Sequence, residues 1–391
     1  MNQKLYEHLL NHYPTPFYYF DTDELTHRVQ YLRSMLPKRV QLCFAAKANP
    51  FLLKVLEDQV DFFEICSPGE LDICQNLAIP PEKIVLSGVY KDEHDLESYF
   101  EKAQPLHLYT IESIQQYEQL RSLSERYQRR TFVVLRLSSG NQFGLDEASI
   151  EQIVASRAQA PFIEIQGIQF FSGTQKRRSH LFEKEMAKLE TLMDHLKEKY
   201  NFTISLLEYG PGLPVDYFET GIDEAKLLHD LSTLLDRLDP NLEIVLEIGR
   251  TMAASCGYYF SRVVDLKQTG EYKYAILDGG IHHLVYYGQS MGLRVPPYEV
   301  YPARQGETCI YQICGALCTV NDLLLKAVAL PSLAIGDAFI FKMAGAYCPT
   351  EGMNLFLSRC LPAIILGDAT VHHLVRKALP TSVLNTPKGD L

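Results

Sequence analysis

Basic residues are in deficit in this sequence: 37 lysines and arginines stand against 48 aspartates and glutamates, a formal net charge of −11. A nucleic-acid partner, which calls for a basic face, is therefore not expected. The one basic cluster, Lys176-Arg177-Arg178, reads as a solvated turn. Long apolar runs are missing too, so no segment reaches the length that crosses a bilayer. The stretch Met1-Asn2-Gln3-Lys4-Leu5-Tyr6-Glu7 has no apolar centre of the signal-peptide kind. A cytoplasmic protein with no membrane partner is the expectation. Paired cysteines are also lacking. The nine cysteines are odd in number and scattered through strand-like segments, which reads as reduced thiols rather than a disulfide framework. Cys314 and Cys318 are four apart, but no second pair stands at zinc-ligand spacing, so no metal site is expected. Repeats and low-complexity tracts are absent, and only Thr386 to Leu391 reads as a loose tail.

What is present is an ordinary globular composition, 47% hydrophobic and 22% charged, over 391 residues. That length buries a large core and gives two domains as the prior. Strand-like runs lie at Gln41–Ala45, Asp61–Ile65, Lys83–Leu86, Leu106–Tyr109, Phe132–Leu137, Ile163–Phe171, Ser205–Glu208 and Glu243–Glu247. Segments of helical period join them: Phe51–Gln59, Glu70–Leu77, Glu93–Lys102, Glu112–Tyr127, Ala148–Ala158, Phe182–Tyr200 and Glu224–Leu238. Eight strands joined by seven single helices predict an α/β fold closed as a (β/α)8 TIM-like barrel rather than an open sheet. After Glu247 the runs turn short, extended and Gly/Pro-punctuated, which predicts a C-terminal all-β domain from about residue 253. The early run Pro16–Asp21 is surplus to the barrel. The expected division is 22–252 for the barrel, with 1–21 and 253–391 forming the β domain.

Barrel enzymes work at the C-terminal ends of their strands, with phosphate at the last two loops. Lys47 follows the first strand in Phe44-Ala45-Ala46-Lys47-Ala48-Asn49. A lysine desolvated there can be neutral enough to attack a carbonyl, whereas a lysine that reaches solvent is merely a strand end. The seventh strand runs into Gly210-Pro211-Gly212 and the eighth into Glu247-Ile248-Gly249-Arg250. Glycine backbone N–H groups approach a phosphate closely and Arg250 can pair with it. Lysine, phosphate loops and an acid together suggest pyridoxal phosphate, with Glu247 holding the pyridinium nitrogen protonated.

Ala46-Lys47-Ala48-Asn49 resembles the cofactor-lysine motif of the fold-type III pyridoxal-phosphate decarboxylases, the diaminopimelate and ornithine decarboxylase group and its relatives in secondary metabolism. Glu64-Ile65-Cys66-Ser67-Pro68-Gly69-Glu70-Leu71 is similar to that family's second-strand segment, and Gly210-Pro211-Gly212 to its glycine loop. Cys314-Gly315-Ala316-Leu317-Cys318 and Gly345-Ala346-Tyr347 resemble two motifs of its β domain. The resemblance implies an alanine racemase-like fold type III architecture and a head-to-tail homodimer with Cys318 reaching into the partner's barrel. It implies Lys47, Glu247 and Cys318 as catalytic residues, Cys318 being the acid that reprotonates the substrate carbon. Gly210, Gly212, Gly249, Arg250 and the Tyr347 hydroxyl are the implied phosphate contacts.

Departures from the pattern shape the expected substrate. Phe171 stands where the family stacks a histidine on the cofactor ring, and a phenyl ring can still stack. Thr174 replaces a phosphate-binding serine. Thr319 stands where diamine decarboxylases carry an acid for the substrate's distal ammonium, and Tyr287-Gly288-Gln289-Ser290 offers no second acid. His282, His283 and Arg294 lie nearby as candidate contacts for an acidic group, although paired histidines are ordinarily surface residues. The expected activity is decarboxylation of an amino acid or derivative without a free distal amine: a siderophore or antibiotic intermediate, or an amino acid tethered to a carrier protein. A diaminopimelate/ornithine-type decarboxylase and a racemase of the same fold are the alternatives.

Overall fold

A computed structural model describes residues 3–101 and 105–387. Lys102, the expected end of one helix, and 388–391 of the expected tail lie outside the described residues. The chain forms two compact units: one of Met1–Arg28, Val215–Gly221 and Ala253–Leu391, the other of Val29–Pro214 and Ile222–Met252.

The strands in chain order are β1 Phe17–Asp21, β2 Val40–Ala45, β3 Phe62–Ile65, β4 Ile84–Leu86, β5 Leu108–Ile111, β6 Thr131–Leu137, β7 Ile163–Phe171, β8 Leu206–Gly210 and β9 Glu243–Ile248. They continue with β10 Gly257–Thr269, β11 Tyr272–Leu277, β12 Tyr298–Tyr301, β13 Thr308–Cys314, β14 Leu323–Pro331, β15 Ala338–Phe341, β16 Ala363–Gly367 and β17 His372–Arg376. The main helices are α1 Gln3–His12, α2 Thr22–Met35, α3 Leu53–Leu56, α4 Pro68–Asn76, α5 Glu93–Glu101, α6 Ile114–Arg126, α7 Glu147–Ser156, α8 His180–Tyr200 and α9 Glu224–Arg237. The helix expected over Phe51–Gln59 is instead a 3-10 turn at Pro50–Leu52 followed by the single turn α3. Pro50 sets that start, and the Asn49 side chain accepts from the Phe51 N–H.

Strands β2 to β9 pair in parallel and in order, and β9 closes on β2. This is the (β/α)8 barrel. Caps fix where its helices begin: the Ser67, Ser113, Asp146 and Asp223 side chains accept from the N–H groups of Glu70, Gln116, Ser149 and Lys226. Side chains alternate between the lumen and the helices, so one residue type in two sees the barrel interior. Cys43, Phe62, Val85, Leu108, Val134, Leu206 and Val245 pack into one buried apolar layer. Strand β7 contributes no side chain to it, because Gly167 sits there. A Cβ on Gly167 would meet the Leu206 carbonyl oxygen at 1.7 Å. Just before it, the β6–β7 register shifts: Ile165 pairs with Val133 but Gly167 with Val134, so Gln166 is a bulge.

In the other unit β1 lies between β10, antiparallel, and β16, parallel, within a nine-stranded sheet. Helix α1 covers this sheet. Its Tyr6, Leu9 and Leu10 are buried among Phe17, Tyr19, Phe260, Ile340 and Ile365. The i, i+3, i+4 spacing explains the helix, and burial of each such side chain contributes about 1.5–3 kcal/mol. The extended run expected over His282–Tyr287 is turn and irregular chain instead.

Candidate active site

Two residues beyond the apolar layer, seven of the eight barrel strands change chemistry, and β2 keeps a small apolar residue. Cys43 is followed at that spacing by Ala45, Phe62 by Glu64, Val85 by Ser87, Leu108 by Thr110, Val134 by Arg136, Gly167 by Gln169, Leu206 by Glu208 and Val245 by Glu247. The period of two puts this second ring on the lumen side as well. Ser87 and Thr110 satisfy one another through their hydroxyls at 2.9 Å, and Arg136 pairs with Glu112, just past the end of β5, at 3.1 Å.

Lys47 reaches this ring from the turn after β2. Its Nζ donates to Glu64 Oε2 and lies 3.4 Å from Glu247 Oε1 and 3.5 Å from Cys66 Sγ. The lysine side chain is 39% exposed while Glu64 and Glu247 are 2% and 8% exposed, so a reachable amine stands over buried acids. Burial pushes the Glu247 carboxyl up to about 7, the nearby Glu64 charge adds to this, and Lys47 opposes both. Burial also raises Glu64, but the Lys47 charge together with hydrogen bonds shared with Glu247, Lys47 and Cys66 outweighs it and holds that carboxyl below its ordinary value. Gln169 Nε2 donates to Glu247 Oε2 at 3.1 Å. Sequence reasoning placed Lys47 and Glu247 here but missed Glu64, Gln169, Arg136 and Glu208 as members of the ring; their strand parity was the available signal.

Around the ring stand the expected glycine loops. Gly210 is paired with Phe171, and a Cβ on it would come within 2.6 Å of the Phe171 ring. The phenyl thus occupies space that a side chain at 210 would need. Gly212 has φ 62°, and its Cβ would meet the Gly173 carbonyl oxygen at 1.9 Å, beside Thr174. Gly249 and Arg250 lead from β9 into a short helical turn, and Thr251 Oγ1 donates to the Leu213 carbonyl at 2.9 Å, tying the two loops together. Lys176 is not the solvated residue expected. It is buried, ion-paired with Glu185 at 2.8 Å, and Glu185 also accepts from the hydroxyls of Tyr209 and Ser172.

The remaining candidates belong to the sheet unit. Cys318 is exposed, on the loop between β13 and β14, and Thr319 follows it. The next acid, Asp322, is buried and committed: its oxygens accept from the N–H groups of Ile281 at 2.8 Å and Leu317 at 2.7 Å. A Cβ on Gly315 would approach the Asp322 carboxylate to 2.3 Å, so this acid shapes the cysteine loop from inside. Tyr347 sits at φ 65°, a left-handed conformation unusual for tyrosine. Arg294 is exposed over the Phe218 ring. The paired histidines are buried, not on the surface. His283 lies between the Tyr259 hydroxyl at 3.0 Å and the Cys360 carbonyl at 2.8 Å, and burial lowers its ring to about 3. It is neutral and fully engaged. His282 is lowered to about 4 by burial.

Comparison with known proteins gives consistent results. Residues 22–254 match the family model described as pyridoxal-dependent decarboxylase, pyridoxal binding domain. The chain is 26% identical to the L-glutamyl-BtrI acyl-carrier protein decarboxylase of Niallia circulans, over 94% of this chain and 92% of that one. It is 26% identical to 2-((L-alanin-3-ylcarbamoyl)methyl)-2-hydroxybutanedioate decarboxylase of Staphylococcus aureus, over 90% and 94%. A diaminopimelate decarboxylase of Pseudomonas aeruginosa is 30% identical over 86% of this chain and 83% of its own. In fold, the chain is similar to diaminopimelate decarboxylase of Helicobacter pylori complexed with L-lysine, with a TM-score of 0.85, 21% identity, and 97% and 98% of the two chains covered.

Proposed function

The chain belongs to the pyridoxal-dependent decarboxylases, and on that premise we propose that its substrate is an amino acid whose far end is neutral or acidic rather than a free amine. One observation carries this: Thr319 follows Cys318, and the nearest acid beyond it, Asp322, is spent on backbone amides. An ammonium in a closed site needs a carboxylate, because a buried charge without its partner costs about 3–5 kcal/mol. A threonine hydroxyl can hydrogen-bond but not neutralise. The likeness to relatives named for a carrier-bound glutamyl group and for a carbamoyl-linked citrate-like acid supports the same reading. The substrate class is thus a siderophore or antibiotic intermediate, or an amino acid on a carrier protein. A diaminopimelate-type activity is the second reading, favoured by the 30% relative.

The barrel residues fit the cofactor. Lys47, exposed above buried carboxylates, would hold it covalently, and Glu247 would face its ring nitrogen. Phe171 would stack on the ring, while Gly210, Gly212, Gly249, Arg250 and Thr174, with Tyr347, would hold the phosphate. When bound, the cofactor supplies an electron sink for the substrate carbon that loses carbon dioxide. Glu247 keeps a proton at the ring nitrogen, and Gln169 orients Glu247. Cys318 returns a proton to the substrate carbon, supplied in a homodimer by a second copy of the chain. Arg294, exposed in the sheet unit, is the remaining candidate contact for an acidic far end, since His283 is buried and engaged.

Steady-state rates of carbon dioxide release test the proposal. Acidic or amide-linked amino acids are expected to be turned over, and lysine, ornithine and diaminopimelate poorly or not at all. Efficient turnover of a free diamino acid would refute it. Thr319→Asp is expected to move preference toward the diamino acids.

A further inference from the structure

Glu208 is a member of the polar ring that the chemistry above does not use. It is fully buried, and neither carboxyl oxygen has a hydrogen-bond partner among the described residues. Directly beside it in the β7–β8 register stands Gln169, also buried, whose Oε1 is likewise without a partner among them. Paired residues in a parallel sheet point the same way and lie about 5 Å apart. Two orphaned groups therefore sit side by side, and each carries a desolvation penalty if its hydrogen bond is left unmade. An ionised carboxylate and an amide oxygen are both acceptors and cannot satisfy one another. A carboxylic acid and an amide oxygen can.

We infer that Glu208 is a resident carboxylic acid that donates its hydrogen bond to Gln169 Oε1, and so fixes the Gln169 amide with its N–H toward Glu247. The chain of contacts is Glu208 O–H to Gln169 C=O, then Gln169 N–H to Glu247 carboxylate, of which the last is 3.1 Å long. Glu208 acts through Gln169 and is a positioning residue. Its neutrality also removes a third negative charge from beside Glu64 and Glu247. The surroundings agree. Burial, then the charges of Glu247 and Glu64, push the Glu208 carboxyl well above its ordinary range, and the opposing cations Lys47 and Arg136 do not reverse this. The remaining titratable neighbour, Cys43 on β2, is itself buried and raised, hence a neutral thiol. With the amide pinned, Gln169 cannot flip and present its oxygen to Glu247, an arrangement that would set acceptor against acceptor.

The sense given to Glu247 rests on the cofactor reading above, but the proton on Glu208 does not, and the two can fail separately. The test is infrared absorption of the purified full-length protein in heavy water near neutral pH. A protonated-carboxyl band is expected, with about one group per chain lost in Glu208→Gln. In Gln169→Leu the same band is expected to move to higher frequency, because its acceptor has gone. Absence of the band in the natural protein, or its survival unchanged in Glu208→Gln, overturns the inference. If Glu208→Gln does not fold, the natural protein and Gln169→Leu decide alone, and a band that does not move in Gln169→Leu overturns it. A present and shifting band together with no borohydride label on Lys47 would leave this inference standing and refute the cofactor assignment instead.

Discussion

Two neighbouring rings of the barrel lumen share strands, burial and parity, yet are built for opposite ends. The first, with Leu108, Val134, Leu206 and Val245 among its members, is apolar and gains stability from contact alone. The second, two residues on, carries Glu64, Gln169 and Glu208 fully buried and Arg136 and Glu247 nearly so. There, charge is held against its desolvation by Lys47 and by hydrogen bonds, and its members shift one another's protonation. The contrast teaches that this barrel spends one layer on being a barrel and the next on being reactive, with a single step of the pleat between them.

Substitutions in the two rings should therefore fail differently. The largest effect is expected from Lys47→Ala, which removes the amine over the acids: activity should drop to background and borohydride reduction should no longer label the chain, while circular dichroism stays native. Labelling at another lysine would break the assignment. Cys318→Ala comes next, with a fall on the order of 10²–10⁴-fold in turnover and product misprotonated on the cofactor. Cys66→Ala, whose half-buried thiol is pushed well above its usual range by desolvation, should lose far less. Equal losses in the two variants would mean that the proton donor lies in the barrel. In the apolar ring, Leu108→Ala should cost about 2–5 kcal/mol in urea unfolding and leave turnover nearly intact at 25 °C. A large activity loss with small destabilisation would erase the distinction between the rings.

The smallest effect is a slope. Glu247 titrates at about 7 in the folded chain, against about 4.3 when unfolded. A carboxyl raised on folding stabilises fully below its unfolded pKa, and that stability is lost as pH rises through the folded one. The cofactor-free protein should thus lose stability between about pH 4 and 7 through this group, and Glu247→Gln should flatten the decline. Glu64 works the other way, since its folded value is depressed: its contribution is present above the unfolded pKa and is lost as pH falls through the folded one. Urea midpoints across that pH series check both signs.

Much of this was legible in the residues and some was not. The barrel strands announce themselves because each is a short apolar run between helical periods, and Lys47 and Glu247 were found because they stand where strands end. Glu64, Gln169 and Glu208 escaped because each is a lone polar residue inside an apolar run. Only closure of the barrel says that such a residue faces inward. Helix α1 was missed although Tyr6, Leu9 and Leu10 carry its spacing. His282 and His283 look like surface residues until the irregular chain folds them inward, and Lys176 hides because its partner Glu185 lies on the following helix, α8.

The bulge at Gln166 has a consequence for how this gene can change length. Before it, Ile163 and Ile165 share the parity of Thr131 and Val133; after it, Gly167, Gln169 and Phe171 take the lumen side. The extra residue acts like a frame-shift within the strand. Deleting Gln166 itself would make the ladder continuous, with Ile165 still opposite Val133 and Gly167 opposite Val134, and would keep Gln169 and Phe171 on the lumen side. Losing Ile168 beyond it, with the pairing before it held, would instead set Gln169 opposite Leu135 and Phe170 opposite Arg136, turning Gln169 and Phe171 out among the helices. Most single-codon losses in a barrel of this kind fall in loops and are absorbed. The loss of Ile168 would exchange the lining of the reactive chamber for grease while leaving its walls standing, whereas the loss of Gln166 would not.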